Sequence, residues 1–329
     1  MSGKSRFIDY VNGSGSGRAA AGFWFHFAGP DEYAAAPGNP GLFRKTLEGH
    51  KRYFESVGFE IMKIMSEGYF VLPGHRNVDV NVPDTITGAV RSSPDDPWFA
   101  EQIGLSREIS RFVGDGAAVY YTIFSPFAYL SFSGLCRGEH IYSDSFAPGL
   151  LAHPSITDVL DTITRGVSAL VERILTDGEA DGIFFAVRAY EGVSAEDYRR
   201  FIEPGEREVL RRAAEIRGNT ILHICGDTRG ENDFQLYASY EASAYNWAFG
   251  QGLSLSEGRR VFGGRTIMGG FDSTRSGELY RGDREAVERR AGELLDGAGG
   301  SLILGADCAL PPDINCAHLR MLRDFISSG

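Results

Sequence analysis

Short apolar runs with strand character recur eight times along the chain, each followed by a helical pattern or a long loop, and this alternation limits the fold more than any other feature. The runs lie at Ala20–Phe27, Glu60–Glu67, Ala117–Phe124, Gly182–Arg188, Asn219–Cys225, Ala242–Trp247, Arg265–Asp272 and Ser301–Leu304. Apolar residues at helical spacing predict helices from Asn39 to Val57, Phe99 to Val113, Ser155 to Thr176, Ser194 to Arg217, Leu253 to Phe262, Arg284 to Leu295 and Ile314 to Ile326. Ser194 reads as an N-cap, with Asp197 three residues on in a near relative of the capping box. Eight alternating βα units argue for an α/β chain folded as a (β/α)8 TIM barrel. No linker divides it. The expectation is a single domain over residues 1–329, with a short leading helix at Ser5–Val11 and long loops at about 73–97 and 127–153.

Catalytic groups of such barrels come from the C-terminal ends of the strands. His26, Glu67, Arg188, His223, Cys225, Asp272 and Cys308 all fall at such ends. His223 and Cys225 are two apart and so point to one face of an extended chain. Cys308, behind the last run, offers a second thiol. One imidazole and two thiolates suit a zinc ion with a position left open for a reactant. The competing reading is plain packing, because His-x-Cys is shorter than structural zinc spacings and free cysteine is often just buried.

Other strand-end residues carry two readings each. Asp272 suits orienting a zinc ligand or holding substrate, and equally suits capping the next helix through Ser273-Thr274. Arg188 suits anchoring a sulfonate or carboxylate, or pairing with a strand-end acid. His26 suits contact with substrate or with a polar partner in the barrel mouth, and Tyr190 suits a pocket wall. Asp227, just after the ligand pair, bonds a ligand or begins the next helix. Cys316 reads as packing, and Cys136 carries no signal.

Charge narrows the partners. The net charge is −11 with no basic run, which disfavours nucleic acid and anionic membranes. No apolar stretch reaches membrane-span length, and the first residues lead into no apolar signal core. A cytoplasmic protein is expected, with its four cysteines as reduced thiols.

Taken in order, Ser125-Pro-Phe, Ser194-Ala-Glu-Asp-Tyr with Pro204 beyond it, His223-Ile-Cys225-Gly, Gly269-Gly-Phe-Asp272 and Gly305-Ala-Asp-Cys308-Ala-Leu-Pro-Pro-Asp resemble the uroporphyrinogen decarboxylase superfamily. The resemblance runs from about Phe23 to Ile326 and is nearest to the cobalamin-dependent methyltransferase branch. Decarboxylases proper carry an arginine-rich segment just after the first strand. Here that place reads Trp24-Phe-His26-Phe-Ala-Gly-Pro-Asp31-Glu32-Tyr, with no arginine and two acids. The methyltransferase branch holds zinc with His-x-Cys and a distant Cys, which His223, Cys225 and Cys308 match, and the superfamily often keeps a pocket-facing acid where Glu67 stands, a solvated surface carboxylate being the other reading of that residue.

The resemblance thus implies a zinc-dependent methyltransferase that moves a methyl group between a corrinoid, either methylcobalamin or a corrinoid protein, and a thiol or other small acceptor. Nothing in the chain resembles a cobalamin-binding domain, so a corrinoid-protein partner is implied. Superfamily members are monomers or homodimers. The alternatives are a decarboxylase, a non-catalytic corrinoid- or tetrapyrrole-binding protein, and a structural zinc site with four protein ligands.

Overall fold

Every strand is buried on both faces, as expected where helices cover a parallel sheet from outside and side chains fill it from within. The strands are β1 (Ala20–Gly22), β2 (Ile61–Ile64), β3 (Ala118–Phe124), β4 (Gly182–Val187), β5 (Thr220–Ile224), β6 (Ala244–Trp247), β7 (Thr266–Phe271) and β8 (Leu302–Ala306). All pair in parallel, in one continuous ladder β1-β8-β7-β6-β5-β4-β3-β2. The two ends of the ladder come together at Gly22, where an added Cβ would sit 2.3 Å from Cγ2 of Ile61. The result is the nearly closed (β/α)8 barrel expected from the sequence. In the computed structural model the described residues are 1–82, 85, 95–137, 145–226, 232–248, 252–298 and 302–328.

Period-2 alternation sorts the side chains. Trp24, Ile61, Met65, Ala118, Tyr120, Phe184, Ile221, Ala244, Met268 and Ile303 form one buried cluster inside the barrel. The alternate strand residues join a larger layer beneath the helices. Helix α1 (Gly3–Val11) closes the barrel's N-terminal end, its Phe7 ring edge-on to Tyr120 with centroids 5.9 Å apart. The open end is therefore the C-terminal one.

Helix boundaries follow local chemistry. Helices α2 (Pro40–Val57) and α3 (Pro97–Val113) each begin with Pro behind a capping side chain, Asn39 and Asp96. Helix α2 ends at Gly58, whose φ of 69° suits a residue without a Cβ. Two short helices, α4 (Pro126–Ser131) and α5 (Ala147–Leu151), precede the long α6 (Ile156–Thr176). Ser194 caps the next helix by accepting from the Asp197 N–H, as the sequence indicates. That helix is α7 (Ala195–Asp197) and α8 (Glu203–Ile216) joined by a π turn at Tyr198–Ile202, closed by the Glu203 N–H donating to the Tyr198 carbonyl just before Pro204, a residue with no N–H to give. Helices α9 (Leu255–Val261), α10 (Glu278–Arg281), α11 (Arg284–Ala298) and α12 (Cys316–Ser328) complete the ring.

Two sequence expectations need correction. The first strand is shorter than Ala20–Phe27. Its ladder stops at Gly22, since partner strand β8 ends at Ala306, and only an isolated bridge joins Phe25 to Leu310. The segment 127–153, expected to be irregular, holds α4, a 3-10 turn at Phe132–Arg137 and α5. The signal for α4 is Ser125-Pro126, an N-cap followed by proline, and Ser125 Oγ accepts from the Ala128 N–H. Much of the expected 73–97 loop, and residues 138–144, lie outside the described residues.

Candidate metal centre and cavity

The parallel register puts polar side chains at one level of the barrel. His223 on β5 stands beside Ala186 of β4 on one side and Asn246 of β6 on the other. Cys225 follows two residues later, and Cys308 lies just past β8. One donor atom from each of His223, Cys225 and Cys308 lies within 4.8 Å of the others. His223 Nε2 and Cys308 Sγ are 3.6 Å apart. A tetrahedral zinc ion separates its nitrogen and sulfur donors by about 3.5–3.8 Å, as bond lengths near 2.0–2.3 Å require. The spacing and the donor set both fit such an ion.

A neighbouring amide sets the imidazole. Asn246, fully buried, donates from Nδ2 to the carbonyls of Met268 at 2.8 Å and Ala306 at 3.0 Å. Its Oδ1 is left to accept from His223 Nδ1, 2.5 Å away. That fixes the proton on Nδ1 and leaves the Nε2 lone pair toward Cys308. The Cys308 thiol is held well below its ordinary value, first by its hydrogen bond with Cys225 and then by His223, while burial acts the other way.

These groups share a cavity at the open end of the barrel. Trp24, His26, Lys63, Phe184 and Arg188 line it with His223, Cys225 and Cys308. Phe70, Phe124 and Phe132 also line it, with centroids 5.0–5.8 Å apart in edge-on and tilted pairs that make one wall aromatic. Lys63, 6% exposed, places its ammonium 4.5 Å from the Phe184 ring centroid and 5.0 Å from that of Trp24. Its hydrogen-bond acceptor is the sulfur of Met65 at 3.1 Å.

The structure distributes the remaining sequence candidates unevenly. His26 and Arg188 stand on the cavity wall. Glu67 is wholly buried behind His26, which it meets at 3.1 and 3.2 Å through Nδ1, and it also accepts from the Phe27 N–H at 2.9 Å. Tyr190 is off the wall, packed edge-on to Phe127 at 4.6 Å with the Arg188 guanidinium 4.7 Å over its ring. Asp272 is outside the cavity; its carboxylate accepts from the Thr274 N–H at 2.7 Å, from Thr274 Oγ1 at 2.9 Å and from Ser276 Oγ at 3.4 Å. This is a local turn and not the helix cap that Ser273-Thr274 suggested, because the next helix begins at Glu278 behind Gly277. Asp227 lies outside the described residues. Cys316 begins α12 against the core, and Cys136 is exposed.

Sequence reading missed Lys63 and Asn246. Each is a polar residue at an inward position of a strand otherwise made of apolar residues, which was the available signal.

Among the described residues, no helix is long and apolar enough to cross a membrane. Comparison with solved structures gives a methyltransferase from Methanosarcina mazei, 14% identical over 100% of this chain and 99% of that one, with a TM-score of 0.70. A B12-independent methionine synthase from Shewanella sp. W3-18-1, in complex with selenomethionine, is 13% identical over 94% of this chain and 96% of that one, at a TM-score of 0.59. At these identities the likeness is one of fold. No curated protein matches by sequence. Residues 106–328, however, match the family described as uroporphyrinogen decarboxylase (URO-D). With more than half of its length in that match, on a barrel of the same class, the chain belongs to the uroporphyrinogen decarboxylase family.

Proposed function

We propose that the chain is a zinc-dependent methyltransferase that moves a methyl group between a corrinoid and a thiol or other small acceptor. The observation that carries this reading is the convergence of His223, Cys225 and Cys308 on the wall of one cavity at the open end of the barrel. The names of the two solved structures of similar fold, a methyltransferase and a B12-independent methionine synthase, support methyl transfer, and the second does not extend to the corrinoid. The corrinoid, and a separate protein to carry it, come from the sequence resemblance.

Zinc held by these three donors supplies an open fourth position and lowers the pKa of a thiol that enters it. The chain's own residues do the rest. Asn246 keeps the His223 lone pair directed at the centre. Phe70, Phe124 and Phe132 give the cavity an aromatic wall, and a thiolate bound beside it would be poorly hydrated and so more nucleophilic. Arg188, on the same wall, would hold an anionic group of the acceptor in this scheme. Asp272 takes no part in this scheme, because its carboxylate is committed to its own turn.

Metal content tests the reading. Protein purified without oxygen is expected to hold about one zinc per chain, the stoichiometry of a single His-Cys-Cys site. Cys225→Ser and Cys308→Ser should each lose it while remaining folded. A native protein that has no zinc and takes none up on incubation overturns the proposal in favour of a decarboxylase, which needs no metal.

A further inference from the structure

We propose that His26, held by Glu67, is the base that takes the proton from the methyl acceptor, an inference that rests on the thiol-acceptor reading above. The two residues come from different strand ends, His26 behind β1 and Glu67 behind β2, and nothing in their separation of 41 positions links them in sequence. In the structure they form one unit. Glu67 is fully buried, and His26 is its only ion-pair partner among the described residues.

Glu67 cannot turn away from the ring. Its Oε1 is also anchored by the Phe27 N–H at 2.9 Å, so the carboxylate stays on the Nδ1 side. A carboxylate there keeps the Nδ1 proton in place and leaves the lone pair on Nε2, for which no protein hydrogen-bond partner occurs among the described residues. The ring is part of the cavity wall that Cys225, Cys308 and His223 also form. This is an imidazole with one nitrogen braced by a buried acid and the other offered to a ligand, the arrangement a proton acceptor requires.

The groups facing the ring favour the same assignment. Tyr33, with its ring 5.1 Å away, is pushed well above its ordinary range by burial and by Glu67 and Cys308, so it stays neutral and does not compete for the proton. Phe70 covers another side at 6.4 Å. Lys63 and Arg188 are the cations on the cavity wall, and Glu67 is the acid that meets the ring itself. When an acceptor thiol enters, its S–H bond breaks, the electron pair stays on sulfur and the proton moves to His26 Nε2. The sulfur pair then forms the S–CH3 bond as the methyl group leaves its donor, on which the electrons of the broken bond remain.

Calorimetry counts the proton without relying on turnover. Zinc-loaded protein is titrated with 2-mercaptoethanol at pH 7 in two buffers of different ionisation enthalpy. Wild type should release well under half a proton per thiol bound, because His26 retains it, whereas His26→Gln should release about one. Glu67→Gln, which keeps the shape and removes the charge, should also release more than wild type, and it serves as the second variant if His26→Gln fails to fold. Equal proton release by wild type and both variants overturns the dyad and leaves the metal centre standing. No thiol binding by zinc-loaded wild type overturns the thiol-acceptor reading, and the dyad with it.

Discussion

Asn246 holds His223 in one tautomer, with Oδ1 2.5 Å from Nδ1 and both amide hydrogens given to the carbonyls of Met268 and Ala306. The amide cannot flip without placing its oxygen against those two carbonyls. His223 therefore presents the same nitrogen to Cys308 in every molecule, and metal affinity should depend on a residue that touches no metal. Asn246→Ala is expected to weaken zinc binding about 10–100-fold, the usual cost of removing such a support. Competition against a chromophoric chelator measures it. Unchanged affinity would mean that packing alone sets the ring.

Glu206 gives a prediction about stability and pH. This carboxyl is wholly buried on α8 and accepts from Tyr198 Oη at 3.0 and 2.9 Å and from Tyr240 Oη at 2.5 Å. Burial pushes it from 4.5 up to about 7, although the tyrosine hydrogen bonds pull it down. A group raised in the folded state favours folding most below its unfolded value and loses that contribution as pH rises through the folded one. The protein should thus lose stability between about pH 4.5 and pH 7 on this account, by on the order of a few kcal/mol. Glu206→Gln should flatten that decline. Urea unfolding at pH 5 and pH 8 compares the two proteins, and an equal decline in both would assign it to other groups.

Gly258 on α9 tests how closely the helix ring must fit the barrel. A Cβ at this position would lie 2.2 Å from two ring carbons of Trp247, which is itself fully buried next to Asn246. An indole in the core cannot swing aside. Gly258→Ala should destabilise by about 1–3 kcal/mol, the common cost of overpacking, despite its better helix propensity. A denaturant midpoint at or above that of wild type would show that α9 shifts outward at little cost.

These residues also show where sequence reading succeeds and where it stops. The barrel was legible because continuous apolar runs alternate with segments of helical period, and the His-x-Cys pair was legible because two positions on one strand share a face. Cys308 was within reach for the same reason, as a thiol at a strand end. His26 and Glu67 were each legible as strand-end residues, but their pairing was not, since which strands meet is settled by closure of the barrel between β1 and β2. Asn246 and Lys63 sit inside strands, where a lone polar residue has no partner visible along the chain. Asp272 stayed open in the sequence because a carboxylate at a strand end serves equally well in local structure, and its hydrogen bonds to Thr274 and Ser276 become visible only in the fold.

Lys63 carries the remaining prediction. Its ammonium is buried against two aromatic rings and a thioether, and burial lowers its pKa from 10.5 to about 8, while Cys308, Glu67 and Cys225 pull the other way. A lysine lowered in the folded state binds fewer protons there than in the unfolded chain between those two values. Its contribution to stability consequently rises as pH climbs from about 8 toward 10.5. Lys63→Met, similar in length and free of charge, should remove this rise and make the metal-free protein more stable at pH 7 by on the order of 2–3 kcal/mol. Thermal unfolding of both proteins at pH 7 and pH 10 reads the two effects separately. If Lys63→Met is instead less stable at pH 7, the ammonium is offset by the thiolates of Cys225 and Cys308, and its charge belongs to the electrostatic balance of the metal centre.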